Sequence, residues 1–416
     1  SDIFTIAALG AAMLLCGCST TRRIPDDEIL YTGVKKIEIR PDSAARIPSA
    51  MASAIKNSVS VEPNNLKIMG FGLPIPLGLW VYNNMNEPKG GIKKWFYNKF
   101  VQEPVLVSDV RPEVRTRMIE QILDNNGYFR GSATYELVKG KNPKKAKILY
   151  NVSTGPSYPI DTIYLLPDTC RLNSLIDSLA MHDTYLSSVR PVFNTDSLSI
   201  ARTRITNSLR NRGYYFFSPE FIEYLADSIV NPGSVELKLT VASNTPRMAL
   251  RPFRTGKVNI HVDRNQGGGI PDTIKLKRAT LIQMQPSRLR RNVLDECVTF
   301  RSGRTFAVRN MDRTQTYLSR LGIFNNISIV ASRDTTAKSG DDVLDVDIYC
   351  TFDSPLETSL EVNASSKSNS YIGPGLSFGV TNKNIFGGGE QLSVKLTGSY
   401  EWKTGSGRTD ILKAYE

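Results

Sequence analysis

Three times along this chain an amphipathic, helix-like stretch ends on the same signature: a Leu, a Gly four residues later, and two large apolar residues after that Gly. Leu123, Gly127, Tyr128 and Phe129 form the first copy, Leu209, Gly213, Tyr214 and Tyr215 the second, and Leu318, Gly322, Ile323 and Phe324 the third. Gly adopts the left-handed backbone of a helix C-cap without a Cβ penalty, and the residues after it can enter a strand at once. The copies recur at long, uneven intervals, 213 − 127 = 86 and 322 − 213 = 109 residues. That spacing predicts tandem small domains with loops of different lengths. It constrains the fold more than composition does.

The residues around each copy repeat one order of elements. In the first, Pro112 suits a helix first turn, and Val114, Met118, Ile119, Ile122 and Leu123 make one apolar stripe. Residues 132–137 then alternate as a half-buried strand, and a polar turn at 140–145 leads to Ile148, Tyr150 and Val152, a second alternating strand. Upstream, 34–39 reads as a strand and 47–59 as a short helix. The order is strand, helix, helix, strand, strand. It recurs at 160–165, 172–179, 198–209, 221–225 and 235–241, and again at 258–262, 289–297, 308–321, 327–329 and 344–348. Joints at Gly155–Pro156 and at 243–252 separate the units. The domains expected are 33–154 with an insertion at about 60–108, 155–245 and 252–353, each an α+β unit with two helices on one face of a small mixed sheet.

This pattern, over roughly 33–352, resembles the POTRA domain, the periplasmic module of the BamA/TamA outer-membrane assembly superfamily. The resemblance implies that the strand after each glycine, 132–138, 221–225 and 326–331, lies at an open sheet edge. It also implies that client proteins or a TamB-like periplasmic partner pair with such edges by β-augmentation.

From 355 to 416 the texture changes. Leu360, Val362 and Ala364 alternate with polar residues, as do Leu376, Phe378 and Val380. Leu392, Val394, Leu396, Gly398, Tyr400 and Trp402 face away from Gln391, Ser393, Lys395, Thr397, Ser399 and Glu401. Apolar-out, polar-in strands of about ten residues are the signature of a transmembrane barrel. Between the last two lies a glycine turn, Asn384, Ile385, Phe386, Gly387, Gly388, Gly389 and Glu390, without the Lys-Ser/Thr pair a phosphate loop requires. It resembles the hairpin that opens BamA/TamA barrels. Three strands cannot close a barrel, and open edges are not tolerated in lipid. The expectation is the front part of a longer protein.

At the other end, residues 3–15 are an apolar run too short for a transmembrane helix and of signal-peptide length. The run ends in Leu15, Cys16, Gly17 and Cys18, which resembles a bacterial lipobox. Residues 1–17 are then a lipoprotein signal peptide, 18–32 a tether, and Cys18 the lipidated residue. An ordinary short hydrophobic segment with chance cysteines is the other reading. No basic residue precedes the run, and the chain opens at Ser1 without Met, which the lipobox reading takes as a missing start. Together with the repeats and the barrel opening, this resembles a lipid-anchored TamA-like (TamL) form, an outer-membrane lipoprotein of Gram-negative bacteria with its POTRA domains in the periplasm.

The insertion at 60–108 contains the apolar run 71–80, whose Pro74 and Pro76 argue against a helix and so against a membrane span. Lys93, Lys94, Trp95, Phe96, Tyr97, Asn98, Lys99 and Phe100 are basic and aromatic, as at a membrane interface. Packing onto its own domain is the alternative, and both stay open.

The formal charge of +12 comes from 52 Lys and Arg against 40 Asp and Glu. The basic residues are spread along the chain, with short clusters at Lys144–Lys145 and Arg288, Arg290, Arg291. No continuous stripe points to nucleic acid. Cys170, Cys297 and Cys350 form neither a disulfide framework nor a zinc motif, although Cys297 and Cys350 could meet in one domain. With only His182 and His261, no P-loop and no metal spacing, the expectation is no enzyme, no cofactor and no catalytic or metal residues. The resemblance implies outer-membrane protein assembly, insertion or translocation as the favoured function. Lipid transport with a TamB-like partner, or a periplasmic lipoprotein scaffold without a barrel, are the alternatives.

Overall fold

The structure, a computed structural model, describes residues 19–42, 47–64, 66–68, 71–73, 77–86, 88–167, 170–263, 271–283, 287–333, 342–366, 371–403 and 411–415. The chain divides into two compact units, and the division falls inside the second repeat. Residues 1–166, 181–201 and 224–240 belong to one unit, and 167–180, 202–223 and 241–416 to the other.

In the first unit, β1 (Leu30–Arg40) and α1 (Ser49–Ser58) precede an insertion with the short hairpin β2 (Leu66–Ile68) and β3 (Phe71–Leu73). The insertion continues with α2 (Leu77–Asn84) and α3 (Gly91–Phe100), and one turn, α4 (Val107–Val110), leads into α5 (Pro112–Asn125), β4 (Ser132–Lys139) and β5 (Lys145–Ser153). The helix α2 corrects the expectation for 71–80. Pro74 and Pro76 precede it instead of interrupting it, so no α2 hydrogen bond is lost to them. Strand β5 lies between β1, which it pairs in parallel, and β4, which it pairs antiparallel. Its residues Ala146, Ile148, Tyr150 and Val152 are buried at the period of two of a sheet with one covered face. Ile148, Tyr150 and Val152 share a core with Tyr31, Met51, Ile55, Ile119 and Leu123 from β1, α1 and α5.

The second repeat comprises β6 (Ile160–Tyr164), α6 (Arg171–Met181), α7 (Thr195–Arg210), β7 (Ile222–Asp227) and β8 (Val235–Val241). Its strand order, β6-β8-β7, matches the first.

The third repeat, in the second unit, comprises β9 (Arg254–Asp263), β10 (Asp272–Lys275), β11 (Thr280–Gln283), α8 (Arg291–Cys297), α9 (Val308–Arg320), β12 (Phe324–Arg333) and β13 (Val343–Phe352). Here the sheet has five strands, in the order β10-β11-β9-β13-β12. The β10–β11 hairpin is an addition to the expected order. Its four-residue strands are too short for alternation to reveal them. Cys297 and Cys350 are free thiols in the same core, and burial pushes the Cys350 thiol up to about 12.

Strands β14 (Leu356–Ser366), β15 (Tyr371–Lys383), β16 (Gln391–Lys403) and β17 (Ile411–Tyr415) form an antiparallel meander, one strand more than expected. Leu360, Phe378 and Leu396 lie in register across one face, and all three are exposed. On the other face Lys395 pairs with Glu361 at 2.8 Å and the Ser377 and Thr397 hydroxyls meet at 3.2 Å. One face is apolar and open, the other polar and cross-linked. Among the described residues no helix is long and apolar enough to cross a membrane.

Candidate functional site: open sheet edges and the joints beside them

The signature glycines have positive φ: 79° at Gly127, 103° at Gly213 and 65° at Gly322. At the first, the Gly127 amide donates to Asp124 O at 3.0 Å and the Tyr128 amide reaches back to Leu123 O at 2.9 Å. This is a Schellman ending, in which the residue after the glycine and the Leu four before it make the accompanying apolar contact. The Leu and the residue after the glycine are explained in this way at the first copy. The second copy keeps the longer bond, from the Tyr214 amide to Leu209 O at 3.2 Å.

The first two glycines also join consecutive repeats. The Gly127 carbonyl accepts from the Tyr158 amide at 2.8 Å, and the Tyr158 carbonyl accepts from the Phe193 amide at 2.9 Å. One repeat later the pattern recurs: the Phe253 amide donates to Gly213 O at 2.9 Å and the Phe306 amide to Phe253 O at 3.0 Å. Rings close each joint. Phe129 lies 5.3 Å from both Tyr158 and Phe193, while Tyr215 lies 5.0 Å from Phe306 and Phe216 lies 5.2 Å from Phe253. A Cβ on Gly127 would stand 2.7 Å from the Phe193 carbonyl oxygen, so the backbones approach there as only glycine allows. Sequence reasoning found the helix cap and missed the joint, because its acceptors and donors lie tens of residues apart.

Each joint leads into a strand at the rim of its sheet. Strands β4, β7 and β12 are all terminal in their sheet orders, as expected of the strand after the glycine. A rim strand presents main-chain N–H and C=O groups to one side, a template for another extended chain. In β4 the direction of each amide can be read. The Gly140 amide bonds back to Lys145 O, and the Ala133 amide leaves the sheet to donate to Glu120 Oε1 at 3.1 Å. The register is unbroken from 132 to 139, so Ala133, Tyr135 and Leu137 turn their amides outward while Thr134 and Glu136 turn theirs to β5. The Tyr135 hydroxyl donates to Glu113 and holds that carboxyl below the usual range.

The three edges differ in how they are guarded. Strand β4 carries Glu136 and Lys139, and β7 carries Glu223 and Asp227, charges of the kind that discourage pairing. Strand β12 is ten residues long and has neither a charge nor a proline before Arg333. It is the least protected edge.

The triple-glycine turn has a structural use. The Arg290 amide, beside the start of α8, donates to Gly387 O at 2.7 Å, and a Cβ on Gly387 would stand 2.6 Å from Arg288 O. Inside the turn the Gly388 amide donates to the Glu390 carboxylate at 2.7 Å and lowers its pKa. The turn thus latches the terminal meander to the third repeat.

Of the other sequence-singled residues, Cys18 lies outside the described residues. His261 sits 3.0 Å from Asp347 and stacks on Tyr349 with ring centres 4.6 Å apart, while the Asn259 amide donates to the same Asp347 oxygen. The pairing was hidden because β9 and β13 meet in parallel, 86 residues apart. Among the described residues no cluster of three or more His, Cys, Asp and Glu could hold a metal ion.

No family model matches the chain, and the comparison with curated proteins gives no match. Among solved structures it is similar to BamA from Haemophilus ducreyi lacking POTRA domains 1–3, at 16% identity and a TM-score of 0.38 over 59% of this chain and 39% of that one. It is also similar to POTRA domains 3–5 of Haemophilus influenzae BamA, at 11% identity and a TM-score of 0.36 over 79% and 99% of the two chains. CdiB from Acinetobacter baumannii is a third, at 15% identity and 0.28 over 60% and 39%. The chain spans about two fifths of the first of these. The repeated strand order and the open edges are features of this chain's own structure and stand apart from these superpositions.

Proposed function

We propose that this chain is the front part of an outer-membrane assembly, insertion or translocation factor of the BamA/TamA superfamily, in a lipid-anchored TamA-like form. In this reading residues 1–17 are a signal peptide, Cys18 carries the acyl chains, and three POTRA domains occupy the periplasm. The meander from Leu356 onward opens a transmembrane barrel with its apolar face toward lipid. Extended segments of client outer-membrane proteins, or of a TamB-like periplasmic partner, add as strands to the open edges. β12 is the principal acceptor.

The observation that carries the reading is the recurrence of one open edge at the same place in all three sheets. Strand addition through main-chain groups tolerates varied sequence, which suits a handler of many clients. The test is photo-crosslinking in cells from probes at Glu136, Glu223 and Ser328, one on each edge. Adducts with unfolded outer-membrane proteins or a long periplasmic protein are expected, strongest from Ser328. Adducts from none of the three edges would exclude the mechanism. Lipid crosslinks in place of protein ones would favour lipid transport.

A further inference from the structure

The insertion of the first repeat is tied to the beginning of the described chain. Thr20 and Thr21 are buried, and the Asn83 side-chain amide in α2, itself only 2% exposed, donates to Thr20 O at 3.1 Å. The Arg23 amide returns a bond to Asn83 Oδ1 at 2.8 Å, and the Arg23 guanidinium lies over the Tyr82 ring. Farther along the segment, Lys144 of the β4–β5 turn holds Ile24 O at 3.2 Å and Asp26 at 2.6 Å. Ile24, Leu30 and Leu79 close a small core of their own. The segment from Thr20 is thus part of the domain and leaves no slack.

Cys18 is two residues before Thr20, and two residues of chain span at most about 7 Å. Acyl chains on Cys18 would therefore hold the first repeat directly against the bilayer, with α2 beside the headgroups. Helix α3 packs on α2 and carries Lys93, Lys94, Trp95 and Lys99, all exposed. Trp95 is 59% exposed, with the Lys99 ammonium 4.8 Å above its ring. From Lys89 to Phe100 there are four lysines and no acidic residue. A short helix that exposes a tryptophan among lysines fits an anionic lipid surface, where the indole enters the interface and the ammonium groups meet phosphates.

We infer that α3 is a second membrane contact of the first repeat, lying on anionic headgroups beside the acyl chains of Cys18. The inference rests on the lipidation of Cys18. A multiply acylated cysteine anchors by itself, so the basic, aromatic face of α3 would set how the first repeat lies on the headgroups rather than whether it is held there.

The test uses the full chain with Trp80 and Trp402 replaced by Phe, so that Trp95 is the sole tryptophan, reconstituted in phosphatidylethanolamine–phosphatidylglycerol vesicles with brominated acyl chains. Mass spectrometry of the same sample reads the modification of Cys18. Expected are acyl groups on Cys18 and quenching of Trp95 by the brominated lipid. In the unlipidated Cys18→Ala protein, vesicle affinity should fall on the order of fivefold for each of Lys93, Lys94 and Lys99 changed to Gln. Circular dichroism of these surface variants confirms the fold. Acylated Cys18 with unquenched Trp95 would overturn the α3 contact and leave the lipidation standing. An unmodified Cys18 would overturn both. Trp95 shielded from aqueous acrylamide yet unquenched by brominated lipid would mean a protein covers α3, and would also overturn the inference.

Discussion

The three signature glycines share a sequence context but face different surroundings, so one substitution made three times should give three different losses. Alanine at positive φ costs on the order of 1 kcal/mol at each. At Gly322 nothing lies within 4 Å of the added methyl, so that backbone cost is the whole effect. At Gly213 the methyl would stand 3.0 Å from Phe253 O and 3.1 Å from a Thr305 methyl, both of which must give way slightly. At Gly127 it would stand 2.7 Å from Phe193 O, closer than real contacts allow, and 3.3 Å from Tyr158 O, against backbone that cannot rotate aside. Overpacking adds roughly 1–3 kcal/mol, and retreat of the Tyr158 segment also lengthens the Tyr158–Gly127 hydrogen bond, itself about 1 kcal/mol. The expected losses are about 1 kcal/mol for Gly322→Ala, about 2 for Gly213→Ala and about 3 for Gly127→Ala. Urea denaturation gives the total, and hydrogen exchange at the Tyr158 and Phe253 amides reports each joint separately. Only the variant at a given joint should speed exchange at that joint's amide. Equal losses at all three sites, or the largest at Gly322, would refute the role of the glycines as joints.

Proline scanning should separate the two sides of β4. Leu137→Pro removes an outward amide and should keep the melting curve near wild type while abolishing crosslinks from Glu136, whereas Thr134→Pro removes a bond to β5 and should destabilise the first repeat by about 1–3 kcal/mol. Gly387→Ala should free the terminal meander from the third repeat, read as faster exchange of the Arg290 amide with exchange of β13 unchanged. The native protein at pH 8 should alkylate at Cys170, which is exposed, and leave Cys350 unmodified, because a thiol pushed up to about 12 stays protonated there. Modification of Cys350 without denaturant would contradict its burial.

What the sequence made legible was set by local physics. Helix ends announced themselves through a Leu and a Gly within six residues, followed by an aromatic in the first two copies, and alternation in β5, β8 and β16 marked strands with one covered or one open apolar face. The features that escaped depend on contacts far apart in the chain or on segments too short for a period. The β10–β11 hairpin is four residues a side, and α2 was masked by prolines that in fact precede it. Thr134 and Glu136 have exposed side chains, yet the Ala133–Glu120 bond and the unbroken register turn their amides to β5. Side-chain exposure and amide direction are separate alternations, and sequence shows only the first. Likewise, the absence of charge on β12 before Arg333 matters only once β12 is known to be a rim strand.

Strand addition at β12 is the central claim, and hydrogen exchange tests it without mutation. The full chain is mixed with an unfolded outer-membrane protein, and exchange is followed in 324–333 and in 343–352. Strand β13 is already paired on both sides, by β9 and β12, so its exchange should stay constant, while alternate amides of β12 should slow as they acquire partners. Unchanged exchange along β12 in a sample where the client demonstrably binds would contradict the account.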